Sequence, residues 1–275
     1  MAVLRTAPNV FSYNAAISAC EKCGEWRMAL WLLQEMISGT AQVLPDVISF
    51  NAAMSACEKG GEWQLALRLL SDMPSARVAG DTISFNAGIS ACEKGGEWKR
   101  ALKLLSDMPF AAVPLDAISF SAAISACEKS DEWRVALQLL SEMPEARVVP
   151  DTISFNAGVS ACARGGQWQR ALQLLSDMHS VGLQPSTISF NAGISACEKG
   201  GEWLKALQLL NSMPRARLVP TEVAFNASIS ACQRVVLSRR ACGCGTAWRP
   251  RLSQTQSVAV LVTGPPRKAS GKWPC

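Results

Sequence analysis

An asparagine recurs along this chain, and its side-chain amide has the chemistry to recognise a polar ligand. The amide carries both a donor and an acceptor, a combination that can hydrogen-bond the edge of a nucleobase. Asparagine is a mediocre helix former, so helix propensity does not explain its recurrence; a hydrogen bond to backbone in a first helical turn is the structural alternative. The recurring residues are Asn14, Asn51, Asn86, Asn156, Asn191 and Asn226, with Ser121 in the place of asparagine in one repeat.

A second polar residue recurs at each border between repeats, where it is the first residue of the following repeat. The residues at this position are Asp46, Asp81, Asp116, Asp151, Ser186 and Thr221. Aspartate, serine and threonine are all good helix N-caps, so capping alone can explain their choice. Capping and ligand recognition are compatible if the side chain also faces the surface that the asparagines share.

A basic residue occupies a third recurring position, which we call the basic ladder. Its members are Lys22, Lys59, Lys94, Lys129, Arg164, Lys199 and Arg234. A cation near a helix C-terminus is favoured by the helix dipole, which is the structural explanation. A row of positive charges along one edge of a stack also suits a phosphate backbone. Glutamate directly precedes five of these residues and offsets part of their charge.

These positions belong to a repeating unit of 35 residues. Units 2 to 6 have equal length and are Asp46–Gly80, Asp81–Leu115, Asp116–Pro150, Asp151–Pro185 and Ser186–Pro220. Unit 1, Asn9–Pro45, has two extra residues, and unit 7, Thr221–Arg234, is incomplete. Self-similarity at this period is typical of stacked repeat proteins. We therefore predict a repeat region at 9–234, a lead-in at 1–8 and a tail at 235–275.

Each unit is predicted to form an antiparallel pair of short helices. In unit 2 the apolar stripe of the first helix is Phe50, Met54 and Cys57, and that of the second is Trp63, Ala66, Leu67, Leu70 and Met73. This three-four spacing indicates helices. Gly60-Gly61 is predicted to end the first helix and Pro74 the second. Helices this short are unstable alone, so the pattern predicts an all-α solenoid of stacked helical hairpins.

The tryptophan of each second helix lies on the leucine stripe, so we predict that it packs between helices. The cysteines from Cys57 to Cys232 recur every 35 residues. Equivalent positions of stacked helices are too far apart for disulfides, so these cysteines are predicted to be reduced and buried, which favours an intracellular or organellar compartment. The pairs Cys20-x-x-Cys23 and Cys242-x-Cys244 are distant from each other and have no histidine nearby, so no zinc site is predicted.

Composition excludes several classes of function. The chain has a single histidine, His179, and lacks the H-x-E and P-C-x-x-C motifs of a deaminase, so no catalytic site and no cofactor are predicted. Residues 1–234 contain 20 basic and 22 acidic residues, whereas residues 235–275 contain 7 basic and no acidic ones. The tail is therefore predicted to be basic and disordered. The sequence has neither a long apolar run nor a secretory signal, so no membrane partner is predicted. Because no catalytic site is predicted, no small-molecule substrate is predicted either.

The tandem units resemble P-type repeats of the pentatricopeptide repeat family. Asp46–Met73 has that family's asparagine opening, a first helix of small residues, a Lys-Gly junction and an A-L-x-L-L-x-x-M second helix. The stretch His179–Pro185 resembles the usual end of the repeat, although most other loops carry A-R-V-type sequence where the family usually has glycine. Tetratricopeptide repeats instead carry their tryptophan in the first helix. The resemblance covers about residues 9–234 and implies a right-handed α-solenoid that binds single-stranded RNA.

The resemblance also implies roles for individual residues. Each asparagine or serine would work with the residue that opens the next unit: Asn14–Asp46, Asn51–Asp81 and Asn86–Asp116 would read uridine, Ser121–Asp151 guanosine, and Asn156–Ser186 and Asn191–Thr221 cytidine or either pyrimidine. The residue three positions earlier would sandwich the base: Phe11, Ile48, Ile83, Ile118, Ile153, Ile188 and Val223. Since the family binds RNA parallel to the chain, the predicted target is near 5′-UUUGCY-3′, where Y is a pyrimidine.

Two other functions stay open on the sequence alone. The chain can be a protein-protein interaction scaffold, like tetratricopeptide repeats, or a fragment of a longer repeat protein whose leader lies upstream. The resemblance implies a role in organellar RNA processing, stability or translation, together with other RNA-processing factors. It also implies residence in a mitochondrion or chloroplast. No targeting peptide is visible in the sequence, so the cytoplasm is the alternative.

Overall fold

The computed structural model of the protein describes residues 9–38 and 43–241, and within these ranges every regular element is a helix. The α-helices are α1 Val10–Cys23, α2 Trp26–Ile37, α3 Val47–Lys59, α4 Trp63–Asp72, α5 Thr82–Gly95, α6 Trp98–Asp107, α7 Ala117–Lys129, α8 Trp133–Glu145, α9 Thr152–Arg164, α10 Trp168–Ser180, α11 Thr187–Gly200, α12 Trp203–Ser212 and α13 Glu222–Ala241. A short 3-10 helix, Pro214–Ala216, follows α12. The predicted all-α solenoid of helical hairpins is confirmed.

The helices stack in two layers. The first helices of successive units pack against one another, from α1 on α3 through to α9 on α11. Each second helix packs on the first helix of its own unit and, from α2 to α10, on that of the next unit. Within the described residues the backbones of successive second helices lie farther apart than those of successive first helices, although the Arg100 guanidinium of α6 lies 4.9 Å from the centre of the Trp63 ring of α4. The first helices are therefore the more closely spaced layer, which places them on the inner face of the stack.

In units 2 to 6 the first residue is the N-cap of the first helix. The Asp46 carboxylate accepts a hydrogen bond from the backbone N–H of Ser49, and the Ser49 hydroxyl accepts one from the backbone N–H of Asp46. The same reciprocal capping box opens α5, α7, α9 and α11. The predicted N-cap role of this position is thus confirmed, and it fixes where each first helix starts.

The paired glycines after the first helix have two different physical reasons. Gly95 lies against the indole of Trp63 in the preceding unit, so close that a Cβ added to it would be 2.4 Å from Trp63 Cδ1. Gly96 adopts a left-handed φ of 70°, which glycine accepts without strain. The tryptophan thus joins one unit to the next, in agreement with its predicted packing role.

In units 2 to 6 the loop after the second helix keeps a left-handed backbone even where glycine is replaced. The equivalent residues and their φ angles are Arg77 58°, Ala112 56°, Arg147 60°, Gly182 78° and Arg217 59°. Only unit 5 has the glycine that this conformation favours. The A-R-V-type loops therefore keep the backbone geometry of a glycine loop at the cost of local strain.

Ala112→Gly is expected to raise the free energy of unfolding by about 1 kcal/mol, because glycine removes the left-handed penalty of a Cβ. Ala112 is exposed and in a loop, so the substitution removes no buried contact. Gly182→Ala is the matched reverse change and is expected to lower stability by a similar amount. Urea unfolding of both variants checks the prediction, and a stability change of the same sign in both would contradict it.

The recurring cysteines are free, and Cys57, Cys92, Cys127, Cys162 and Cys197 are buried, as predicted. Cys20 and Cys232 are only half-buried, and Cys23 is exposed. Burial raises the pKa of the Cys127 thiol to about 12 and those of the other four buried thiols to about 11. These side chains are therefore neutral core residues at physiological pH.

The chain divides after Gln233 into two compact units, residues 1–233 and 234–275. The last helix ends at Ala241, beyond the predicted end of the repeats at Arg234. The predicted lead-in, the rest of the predicted tail and the Cys242-x-Cys244 pair lie outside the described residues. None of the helices in the described ranges has the length and apolarity needed to cross a bilayer.

Candidate nucleic-acid interface

The structure brings each asparagine of the first three units to the first residue of the next unit. Asn14 Nδ2 lies 3.1 and 3.2 Å from the two carboxylate oxygens of Asp46. Asn51 Nδ2 donates to Asp81 Oδ1 at 3.1 Å. Asn86 Nδ2 lies 3.2 and 3.1 Å from the Asp116 oxygens. The predicted pairs are therefore adjacent in space, although they are about 30 residues apart in sequence.

Where the next unit opens with a hydroxyl residue instead of an aspartate, its contact with the asparagine is also present. Asn156 Nδ2 donates to Ser186 Oγ at 3.4 Å. In the next unit the direction reverses, because Thr221 Oγ1 donates to Asn191 Oδ1 at 3.2 Å. This reversal separates two junctions that the sequence places in the same class.

Ser121 and Asp151 are not in direct hydrogen-bond contact in the described structure. The Ser121 hydroxyl donates to the Ala117 carbonyl at 2.6 Å and lies 3.1 Å from Ser154 Oγ. Ser154 in turn donates to Asp151 Oδ1 at 2.5 Å. The predicted guanosine-reading pair is thus connected through a third side chain, and its reading role stays a prediction.

The residues predicted to sandwich bases form a row of exposed apolar side chains, which we call the apolar ladder. Their exposed fractions are Phe11 84%, Ile48 57%, Ile83 63%, Ile118 62%, Ile153 64%, Ile188 64% and Val223 59%. Each lies three residues before the asparagine or serine of its unit, hence on the same face of the first helix. Folding leaves these side chains in water at one register of every unit, so burial in the core does not explain them.

The pKa values of Asp46 and Asp81, the carboxylates beside Asn14 and Asn51, are lowered from their usual value. Burial raises the pKa of Asp46, but hydrogen bonds from the Ser49 backbone and hydroxyl and from Asn14 outweigh burial and hold this pKa below its usual value. The Asp81 pKa is lowered in the same way, against burial, by Ser84 and Asn51. Each such junction therefore presents an amide N–H next to a carboxylate acceptor.

Three members of the basic ladder are paired with glutamates of the preceding unit. Lys59 lies 2.8 Å from Glu21, and Lys94 and Lys129 each lie 3.0 Å from their partners, Glu58 and Glu93. These lysine side chains remain 40–44% exposed. Solvent-exposed ion pairs are weak, so the lysines can exchange the carboxylate for another anion.

The other members of the basic ladder differ. Arg164 donates to Asp131 at 2.8 Å rather than to Glu128, and burial raises the pKa of Glu128. Lys22 and Lys199 are exposed and have no ion-pair partner within the described residues. The side chain of Arg234 lies outside the described residues. The phosphate role of the ladder stays a prediction.

Sequence reasoning missed one set of residues at this surface. In units 2 to 6 the third residue of the first helix is a serine that is fully buried at the border with the preceding unit; these residues are Ser49, Ser84, Ser119, Ser154 and Ser189. A serine at this position in every unit from 2 to 6 was the available signal. Within the described residues no group of three or more histidine, cysteine, aspartate or glutamate side chains is arranged to hold a metal ion.

Three family models match the chain. Residues 11–39 match the PPR repeat, residues 51–178 match a model described as pentatricopeptide repeat-containing protein, and residues 159–200 and 173–234 match the pentatricopeptide repeat domain. No curated protein sequence matches significantly. The three models together account for most of the predicted repeat region.

The fold is similar to solved structures of low sequence identity. The crystal structure of the pentatricopeptide repeat protein PPR10 from maize is 22% identical, with a TM-score of 0.61 over 86% of this chain and 35% of that one. PPR10 in complex with an 18-nt psaJ RNA element is 21% identical, with a TM-score of 0.71 over 92% of this chain and 37% of that one. The PPR domain of Arabidopsis thaliana protein-only RNase P 1 (PRORP1) in complex with tRNA is 15% identical, with a TM-score of 0.56 over 66% of this chain and 95% of that one. This chain thus spans little more than a third of the length of PPR10.

Proposed function

Because this chain belongs to the pentatricopeptide repeat family, we propose that it binds single-stranded RNA, with one base at each junction between units. The observation that carries the proposal is the apolar ladder, which lies on the inner layer directly beside the asparagine pairs. An apolar side chain can stack on the face of any base, while an amide and a carboxylate can hydrogen-bond its edge. The two sets supply the two contacts that base recognition needs.

The proposed order of bases follows the order of the junctions. The first three junctions pair an asparagine with an aspartate, the fourth has Ser121 near Asp151, and the last two pair an asparagine with a hydroxyl. We propose the target 5′-UUUGCY-3′. The chain acts on RNA by binding a segment and shielding it or presenting it to other RNA-processing factors, without a catalytic site of its own.

The proposal is tested by titrating labelled UUUGCC and AAAAAA hexanucleotides with the full chain and measuring fluorescence anisotropy at two salt concentrations. We expect tighter binding of UUUGCC, and weaker binding of both RNAs at higher salt because phosphate contacts are screened. Equal affinities would contradict base reading. Absence of binding at low salt would contradict the proposed function and leave a protein partner as the occupant of the surface.

Asn51→Ser is expected to change the preferred second base from uridine to guanosine. The change places at Asp81 the serine that Ser121 supplies in unit 4. We expect a change of roughly tenfold in the ratio of the two affinities, equivalent to about 1.4 kcal/mol. Anisotropy with UUUGCC and UGUGCC measures this ratio, and the preference at the third base is the internal control. An unchanged ratio would contradict the assigned reading positions.

Replacing Glu21, Glu58 and Glu93 with glutamine is expected to tighten RNA binding about threefold to tenfold at low salt. The change releases Lys59, Lys94 and Lys129 from their ion pairs, each worth about 0.2–1 kcal/mol, and removes three negative charges.

The matched control for this glutamine variant neutralises Asp107, Glu142 and Asp177 on the second helices, far from the first-helix surface. It makes the same change in net charge and is expected to have a smaller effect. Equal gains in both variants would mean that only net charge matters, which would contradict a phosphate path along the basic ladder.

We also propose that the chain acts in a mitochondrion or chloroplast, as the family implies. Imaging a fluorescent fusion of the full-length protein tests this proposal. A signal confined to the cytoplasm would contradict the organellar location without affecting the proposed binding of RNA.

A further inference from the structure

In units 2, 3 and 6 the buried serine at the third position of the first helix makes a contact that helix capping does not require. In the capping box its oxygen accepts the backbone N–H of the N-cap residue. The hydroxyl proton is left to donate. Ser49 and Ser84 each lie 2.6 Å from the amide oxygen of the asparagine one unit earlier, and Ser189 lies 2.5 Å from it.

This contact determines which way the asparagine amide faces. An amide can rotate to exchange its oxygen and nitrogen, which are an acceptor and a donor. Because the serine oxygen is already occupied by the N-cap N–H, its hydroxyl favours the amide oxygen as neighbour. The amide nitrogen then faces the first residue of the next unit, as Asn51 Nδ2 faces Asp81.

Units 5 and 6 provide a comparison within the chain. Each is followed by a unit that opens with a hydroxyl residue, Ser186 or Thr221, whose hydroxyl can donate or accept a hydrogen bond. Unit 6 alone is followed by a first helix with alanine, Ala224, in place of the buried serine. With Ser189 present, Asn156 turns its nitrogen to Ser186; with Ala224, Asn191 turns its oxygen to Thr221. The orientation of the amide follows the buried serine.

Where the next unit opens with an aspartate, the serine matters less for the orientation of the amide. A carboxylate only accepts, so it selects the amide nitrogen by itself. Asn86 illustrates this case, because Ser119 donates to Asp116 at 2.6 Å while the buried Asn86 Oδ1 lacks a hydrogen-bond partner in the described structure. The Asn86 nitrogen nevertheless faces Asp116.

We propose that Ser189 is a positioning residue that fixes the amide edge offered to the base, and that Ala224 reverses this edge at the next junction. The inference rests on the proposed function. It refines the assignment of the last two bases: the fifth and sixth junctions have opposite orders of donor and acceptor and therefore different base preferences. The fifth base is then read with the help of three side chains, Asn156, Ser186 and Ser189, two of them from the following unit.

The test exchanges the two residues. In Ser189→Ala the preference at the fifth base is expected to become that of the wild-type sixth base, and in Ala224→Ser the sixth is expected to become that of the fifth. Anisotropy is measured with hexanucleotides that vary one of these bases among A, C, G and U. We expect the ratio of best to second-best base to change about threefold to tenfold, the scale of one hydrogen bond.

Two controls separate positioning from a loss of stability. Ser84→Ala removes the same hydroxyl at an aspartate junction and is expected to leave the preference at the second base unchanged. Ser189→Thr keeps the hydroxyl and is expected to restore the preference at the fifth base. If the exchange variants bind RNA with unchanged preferences, the inference is wrong.

A readout without RNA distinguishes this inference from the proposed function. In nitrogen NMR spectra of the free protein, the side-chain amide signal of Asn156 in Ser189→Ala is expected to resemble that of wild-type Asn191. The Asn191 signal in Ala224→Ser is expected to resemble that of wild-type Asn156. If these signals respond as expected but no RNA binds, the serine positions the amide and the proposed function is wrong. If the signals do not respond, the positioning role itself is overturned.

Discussion

Replacing Ile83, Ile118 and Ile153 together with serine is expected to weaken RNA binding about 100-fold and leave protein stability almost unchanged. The three side chains are 62–64% exposed in the free protein, so their removal costs the core little. Each would lose roughly 1 kcal/mol of apolar contact with a base, and three such losses approach the 2.7 kcal/mol that correspond to about 100-fold. Isoleucine and serine have similar helix propensities, so the first helices are retained.

The matched control replaces Phe110 and Val149 with serine. These side chains are 91% and 82% exposed but lie in loops outside the first-helix layer, so RNA affinity is expected to be unchanged. Affinity is measured by anisotropy with UUUGCC, and folding by thermal unfolding. Equal losses in both variants, or full affinity in the triple variant, would contradict the role of the apolar ladder.

Gly95→Val is expected to destabilise the repeat region by about 3 kcal/mol or more, a larger effect than any surface substitution here. The added Cβ would overlap the Trp63 indole, and the two methyl groups beyond it need still more room. Because Trp63 joins unit 2 to unit 3, the loss separates two parts of the stack. Urea unfolding measures the loss, and faster proteolysis in the loop after Asp72 is expected to accompany it.

Gly95→Ser is the matched control, since the chain already has serine at this position in one unit. Ser130 occupies the equivalent position after α7 and donates a hydrogen bond to the Gly96 carbonyl at 3.1 Å. The serine variant is therefore expected to lose much less stability than the valine variant. A valine variant as stable as the serine variant would show that the indole does not limit the packing of the units.

The repetition of the sequence explains how much of the fold could be predicted. Identical stripes every 35 residues determine both the helices and their stacking, so Asn51 and Asp81 could be paired without a structure. The structure was needed for contacts that depend on side-chain reach across a junction. The ion pair of Lys94 with Glu58 is one example. The sequence shows both residues but not that the lysine extends to the preceding unit.

The contact of the buried serines with asparagine could not be predicted, because helix capping already explains a serine at this position. Ser84 has a sufficient local reason to follow Asp81, so its second contact, with Asn51, leaves no separate trace in the sequence. The link between Ser121 and Asp151 could not be predicted for a related reason. A serine side chain is too short to span the distance that an asparagine spans, and Ser154 completes the connection.

The proposed recognition centre of Asn51 is divided across a border between units: the asparagine comes from one unit, while the capping residue Asp81 and the buried Ser84 come from the start of the next. If one whole unit is exchanged between two proteins at such borders, the asparagine of the centre comes from one protein and its capping residue and serine come from the other. A cassette of one repeat length keeps such a centre intact only if it is cut between the buried serine and the asparagine, as in Phe50–Ser84, so the natural module for engineering is offset from the sequence repeat by about four residues.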